Sequence, residues 1–393
     1  MIHDDFAREI LERVRRCLPE GGPYALHEPS FEGNEWTYVK RCLDSGWVSS
    51  AGPFVDEFEA KICAVTGARH AVATVNGTAA LHVCLELAGV SADDEVIVPA
   101  LTFVATANAV SYCGAVPHFA DAAPATLGID ADRLAQHLGS VAEVRAGACY
   151  NGATGRRIRA VVPMHTFGHP ADLDGLDRVC RDFGLALVED AAESLGSRYR
   201  GEHSGTRGVL GALSFNGNKI VTTGGGGAVL TDSPELARTA RHVTTTARLD
   251  ARGWEFVHDA IGYNYRLPSL NAALGLAQLE ALPGFLARKR ALAARYIREF
   301  SKFRGARMFE APDFADSNYW LNTLLLDAEE AARRDAVLAA LNGNGIGARP
   351  VWRLMHRLPM YRDCPRMDLH VAEDLERRIV NVPSSAHLGR APA

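Results

Sequence analysis

Residues 158–194 read IRAVVPMHTFGHPADLDGLDRVCRDFGLALVEDAAES. A β-rich run, IRAVVPMH, is followed by DLDGLDRVCRDFG, whose apolar residues recur at helical spacing, and then by a second apolar run, LALVEDAAES. Strand, helix, strand in that order is a crossover unit, which joins parallel strands of one sheet. The rhythm repeats upstream, with HAVATV at 70–75, a helix from Thr78 to Ala88, DEVIVP at 94–99, a helix from about Phe103 to Cys113, and AVPHFAD at 115–121. The expected fold class is α/β, a mostly parallel sheet covered on both faces. In such sheets ligands collect at the carboxyl ends of the strands, so the polar residues directly after each strand are the candidates for function.

Outside this rhythm, Phe6, Ile10, Val14 and Cys17 recur at helical spacing between Asp4 and Leu18, and PEGGP then ends the run. A helix with a distant packing partner is expected there. Beyond GYNYRLPSLNAALGLAQLEALPG a long Arg-rich helix is expected over 284–303, and NYWLNTLLLD, AARRDAVLAALNGNG and ARPVWRLMHRLPMYRD read as a smaller α/β domain. The expected organisation is a helical extension at 1–29, a large domain at 30–265 and a small C-terminal domain at 266–393.

The chain has 393 residues, 47% hydrophobic and 23% charged, an ordinary balance for a folded globular protein. A formal net charge of -5 argues against nucleic-acid and anionic-membrane partners, so any bound phosphate must be met locally. The eight cysteines form no CxxC pair and no Cys/His cluster, so no metal site is expected and buried free thiols are. The N-terminus lacks the apolar run of a signal peptide, and no segment reads as long and apolar enough to span a membrane. A cytoplasmic enzyme or binding protein is the expectation.

SFNGNKIVTTGGGGAVL, residues 214–230, places one lysine before four glycines. A nucleotide-binding GxxxxGK[ST] loop has the reverse order, and Ile220 rather than a hydroxyl follows Lys219. Asn76, Gly77 and Thr78 separate a strand from a helix, a turn that suits a phosphate and equally an ordinary helix cap. Glu189 and Asp190 end an apolar strand, where a carboxylate needs a partner, either a cationic ligand atom or the next helix. Phe103 is a core aromatic or a face for a flat ring. An amine, a carboxylate for a protonated ring nitrogen, an aromatic face and a helix N-terminus together are what pyridoxal phosphate requires.

The strings GWVSSAGPFVDEFE, NGTAAL, PALTFVATANAV, VPMHTFGHPADLD, VEDAAESLG, SFNGNKIVTTGGGG, GYNYRLPSLNAALGLAQLE and HRLPMY occur in this order from about residue 30 onward. They resemble the DegT/DnrJ/StrS family of pyridoxal-phosphate enzymes that aminate keto-sugars carried on nucleotides. The resemblance implies the PLP-dependent transferase type I fold, with a large mostly parallel sheet domain and a smaller C-terminal α/β domain, and a homodimer with shared active sites. It implies Lys219 as the lysine that carries the cofactor aldehyde, Asp190 as the partner of the pyridine nitrogen, and Phe103 as the stacking ring. Gly77, Thr78, Ala79 and Ser214 match the phosphate-binding positions. Asn264 matches an asparagine that reaches the phosphate from the other subunit.

Two positions depart from the family pattern. Glu193 stands where Gln or His is usual, which the resemblance places at the cofactor, where an extra carboxylate would alter the protonation of the ring oxygen or the imine, and Gly225 stands where an acid is usual. With LHEPSFEGNEW and the N-terminal helix, they resemble a subgroup that makes UDP-linked 4-amino-4,6-dideoxy-N-acetylhexosamines of the legionaminic-acid type. The implied reaction passes an amino group from L-glutamate to a nucleotide-linked 4-keto-6-deoxysugar, namely UDP-2-acetamido-4-keto-2,6-dideoxyhexose, for a surface glycan such as lipopolysaccharide. Arg266, Arg349, Arg353, His356 and His165 are the candidates for the substrate, and each reads equally well as a salt-bridge residue. The alternatives are 3-amination, a GDP- or dTDP-linked 4-keto acceptor, and a keto-sugar dehydratase. One dehydratase branch replaces the lysine by histidine, and another needs an iron-sulfur centre that the scattered cysteines do not supply.

Overall fold

A computed structural model describes residues 4–249 and 254–390. Its main sheet runs in the order His70–Thr74, Gly227–Thr231, Leu210–Ser214, Ala186–Asp190, Arg157–Val161, Glu95–Pro99, Val116–Ala120. Gly227–Thr231 is antiparallel to both of its neighbours, and the other pairings along this path are parallel. A hairpin, Ala142–Arg145 with Ala148–Asn151, extends the sheet to nine strands. Every residue of Glu95–Pro99 and of Gly227–Thr231 is buried, and in the first of these burial on both faces shows as the continuous apolar run VIVP.

The crossover unit that opened the sequence forms as expected. Arg157–Val161 and Ala186–Asp190 are parallel neighbours joined by the helix Leu173–Phe183. Asp172 caps that helix through the Gly175 N–H, and Gly184, at φ 65°, ends it in the left-handed conformation. The first helix, Asp5–Cys17, begins at an Asp4 cap. Its partner is indeed distant: Ile10, Leu11 and Val14 pack with Leu292, Tyr296, Leu324, Val337 and Val380. These belong to the second sheet, ordered Ala306–Met308, Asn322–Leu326, Ile379–Val382, Arg349–Pro350 and antiparallel throughout, and to the helices around it.

Two expectations are corrected here. The long helix does not start at 284; it is the 32-residue Ser269–Phe300, and Pro283 lies inside it. Proline removes one backbone donor and normally breaks a helix. Buried Leu279, Leu282 and Phe285, on either side of it, hold this one continuous. The same helix is long and apolar enough, by length and composition, to cross a bilayer, contrary to the reading that no segment is. Here it packs within the protein, with Ala272, Leu276 and Leu279 in one core cluster and Leu292 and Tyr296 in another.

Candidate active site

The carboxyl ends of the parallel strands open onto a cavity of about 360 Å³. At one end the helix Gly77–Leu87 begins, capped by Asn76 Oδ1, which accepts the Ala79 N–H at 2.8 Å. Gly77 and Thr78 line the cavity together with Ser214, the last residue of its strand. Strand end and helix start come so close that a Cβ on Gly77 would lie 2.7 Å from the Ser214 Cβ. Only glycine leaves that notch open. Ala79 is 5% exposed and is not among the lining residues, so its part is to complete the cap.

Asp190 ends the strand Ala186–Asp190 with its side chain in the cavity wall. Its Oδ2 accepts the Thr106 hydroxyl at 2.8 Å and its Oδ1 the Ala192 N–H at 3.1 Å. Burial raises the Asp190 pKa, and the Thr106 hydrogen bond opposes that shift. Among the described residues the carboxylate thus has a hydroxyl and an amide for hydrogen-bond partners and no cationic donor.

Lys219 follows Ser214 in the loop and brings its Nζ to 3.3 Å from Glu193 Oε1. The same nitrogen lies 4.0 Å from the centre of the Trp320 ring. Trp320 in turn donates its indole N–H to the Asn218 carbonyl at 2.8 Å. Glu193 is buried, and its other oxygen accepts the Phe167 N–H at 2.9 Å. Phe167 holds φ 57°, a left-handed conformation rare for an aromatic residue. Burial pushes the Glu193 carboxyl up to about 7 against the pull of Lys219.

Phe103, half exposed at the cap of Val104–Tyr112, stands 6.1 Å from Trp352, which stands 5.0 Å from Phe167. These residues suit pyridoxal phosphate. A buried carboxylate whose hydrogen-bond partners among the described residues are uncharged suits a ring N–H, the notch at Gly77 suits a phosphate beside a helix start, and Lys219 lines the same cavity.

The substrate candidates are more dispersed. His165 is fully buried, bonded to Glu189 at 2.9 Å and to the Ala171 N–H at 3.1 Å, and it does not line the cavity. His356 pairs with Glu373 at 3.1 Å, and Arg266 lies 3.7 Å from Asp56, both outside it. Arg353 is exposed and outside it too. Arg349 borders a second cavity of about 410 Å³, which shares Asn218, Trp320 and Trp352 with the first. Asn264 is exposed and lies outside its own chain's cavity.

Sequence reasoning missed Thr106, Trp320 and Trp352. Thr106 lies three residues beyond Phe103, one helical turn on, and that spacing was available. Trp320 and Trp352 flank the second sheet, where the rule about strand ends does not apply.

Residues 29–393 match the DegT/DnrJ/EryC1/StrS aminotransferase family. The GDP-perosamine synthase of Caulobacter vibrioides is 37% identical over 366 residues, covering 92% of this chain and 93% of that protein. The GDP-perosamine synthase of Escherichia coli O157:H7 is 34% identical over 360 residues, covering 91% and 92%. Among solved structures, the aminotransferase TlmJ from Streptoalloteichus hindustanus superposes with a TM-score of 0.83 at 32% identity, over 92% of this chain and 94% of that one. DesI, solved in the presence of its TDP-sugar product, gives 0.81 at 31% identity, over 95% and 91%.

Proposed function

The chain belongs to the DegT/DnrJ/EryC1/StrS aminotransferase family and is a pyridoxal-phosphate-dependent sugar aminotransferase, and we propose that its acceptor is a nucleotide-linked 4-keto-6-deoxysugar. The observation that carries this reading is one cavity lined at once by Lys219, by the Asp190 carboxylate and by Gly77 and Thr78 at a helix start. For the nucleotide, two indications compete. LHEPSFEGNEW and TTGGGG favour the UDP-linked 2-acetamido sugar. The relatives whose product is GDP-perosamine, a 4-amino sugar, favour GDP. GDP is therefore the first nucleotide to offer and UDP the second. The donor in this reading is L-glutamate, on family likeness alone, and the product is a 4-amino sugar made in the cytoplasm for a surface glycan such as lipopolysaccharide.

When bound, pyridoxal 5'-phosphate supplies an aldehyde carbon that takes up the amine and a cationic ring that accepts the electron pair of a breaking carbon-hydrogen bond. In this proposal Lys219 holds that aldehyde and, once freed, moves a proton at Nζ between two carbons. Asp190, oriented by Thr106 and the Ala192 N–H, whose hydrogen bonds favour its charged form, would hold a proton on the ring nitrogen by its charge. Gly77, Thr78 and Ser214 bind the phosphate, with the helix dipole adding to their hydrogen bonds. Phe103 and Trp352, which line the cavity, would wall the ring.

We also propose a homodimer with shared sites. Trp254, Phe256 and Ile261 are 100%, 74% and 87% exposed in the segment that leads to Asn264. Apolar surface of that kind favours a partner, and a second copy seated there would carry its own Asn264 towards the facing cavity.

The test is to offer GDP-, UDP- and dTDP-linked 4-keto-6-deoxysugars, and 3-keto isomers, with glutamate and the cofactor, and to identify the product by mass and coupling constants. An enzyme with bound cofactor that aminates none of them sinks the reading.

A further inference from the structure

Trp320 and Glu193 converge on one nitrogen from opposite parts of the fold. Glu193 lies just past the strand Ala186–Asp190 of the main sheet, and Trp320 lies just before the strand Asn322–Leu326 of the second. Each is held firmly. The Trp320 N–H donates to Asn318 Oδ1 at 2.7 Å, and its carbonyl accepts Nζ of the buried Lys289 at 3.2 Å. Its indole N–H is bound to the carbonyl next to Lys219. Glu193 is fixed through the Phe167 N–H, and its own carbonyl accepts Asn318 Nδ2 at 2.9 Å. Asn318 therefore ties both groups into one frame. The amine they face lies 4.0 Å from the centre of an aromatic ring and 3.3 Å from a carboxylate oxygen, an environment that accommodates a free ammonium ion.

We propose that Trp320 and Glu193 form a berth for the Lys219 amine in its released state, making both of them positioning residues for that lysine. This rests on the reading of Lys219 as the cofactor-carrying residue. During amino transfer the donor nitrogen replaces Nζ on the aldehyde carbon, and the two protons that the incoming ammonium gives up are the two that Nζ gains. The released ammonium must give up one proton before Nζ can take one from carbon, and until then it needs a place within the cavity. The berth supplies it.

The experiment compares two cofactor forms by equilibrium binding to the cofactor-free protein. Pyridoxal 5'-phosphate binds with Nζ linked, and pyridoxamine 5'-phosphate binds with Nζ free. Trp320→Leu and Glu193→Gln are expected to raise the ratio of the pyridoxamine Kd to the pyridoxal Kd roughly tenfold. Trp320→Phe, which keeps the ring face, should stay near wild type. A ratio unchanged in both Trp320→Leu and Glu193→Gln, or two constants that rise in parallel, overturns the berth. Hydride trapping of the wild type with pyridoxal phosphate separates the two claims. No adduct at Lys219 overturns the functional reading itself, whereas an adduct there with an unchanged ratio overturns the berth alone.

Discussion

Thr106 Oγ1 donates to Asp190 Oδ2 at 2.8 Å, and both side chains are buried. The bond lies between a helix residue and a strand end, and it lowers the pKa of a carboxyl that burial raises. Thr106→Val keeps the shape and removes the bond. With that opposition gone the Asp190 pKa climbs further, so a larger fraction is protonated at any given acidic pH. The acid limb of the kcat against pH profile should therefore move to higher pH, with little change on the alkaline side.

Asp190→Asn abolishes the charge at nearly constant volume. Turnover should fall by roughly 10²–10⁴-fold, the range that proton control at a reacting group commands, while cofactor absorbance shows the site still filled. Wild-type turnover by this variant would remove Asp190 from the mechanism.

Gly77→Ala puts a methyl group where the Ser214 side chain already lies. Either the strand end or the helix start must shift, which costs about 1–3 kcal/mol of stability in a close-packed interior. Thermal unfolding of the cofactor-free protein should report that loss, and the cofactor Kd should rise about tenfold or more because the phosphate notch is deformed.

Glu193 is raised from 4.5 to about 7 in the folded protein. Below the lower value both folded and unfolded chains hold the proton, and no penalty exists. Between the two values only the folded chain holds it, so the stability this group contributes at low pH is lost as pH rises towards 7. Glutamine does not titrate. The stability of Glu193→Gln relative to wild type, both cofactor-free, should therefore increase across this window by on the order of 3 kcal/mol. A flat difference would show that Glu193 has an ordinary carboxyl pKa.

Mixed dimers test the shared site. Lys219→Ala and Asn264→Ala should each be nearly inactive alone, but one of the two sites in a heterodimer regains both native residues. Mixing and refolding equal amounts should restore about a quarter of wild-type activity, the statistical share for random pairing in a two-fold dimer.

Much of this was legible in the sequence because parallel strands announce themselves. Their residues are buried on both faces, so apolar runs such as VIVP and ALVED stand out, and the next polar residue marks the sheet's functional edge. That rule led from the residues to Gly77 and Asp190 without a structure. The strands Leu210–Ser214 and Gly227–Thr231 escaped because glycines and small residues gave them no clear pattern. The start of the long helix was hidden by Pro283, whose cost is offset by burial that only the tertiary structure provides. Trp320 belongs to the second sheet and reaches Lys219 across 101 positions of chain, a distance over which local periodicity carries no information.

The helix Asp5–Cys17 is synthesised before the residues it packs on, since its apolar stripe docks onto Leu292, Leu324, Val337 and Val380. Leu292, the nearest of them in sequence, follows Cys17 by 275 positions. Throughout elongation the stripe has no native cover, so the main sheet must assemble while a greasy N-terminal segment waits. The fold is consequently closed like a clasp, an early segment locking onto a much later one, and a product stalled between them would carry that stripe bare.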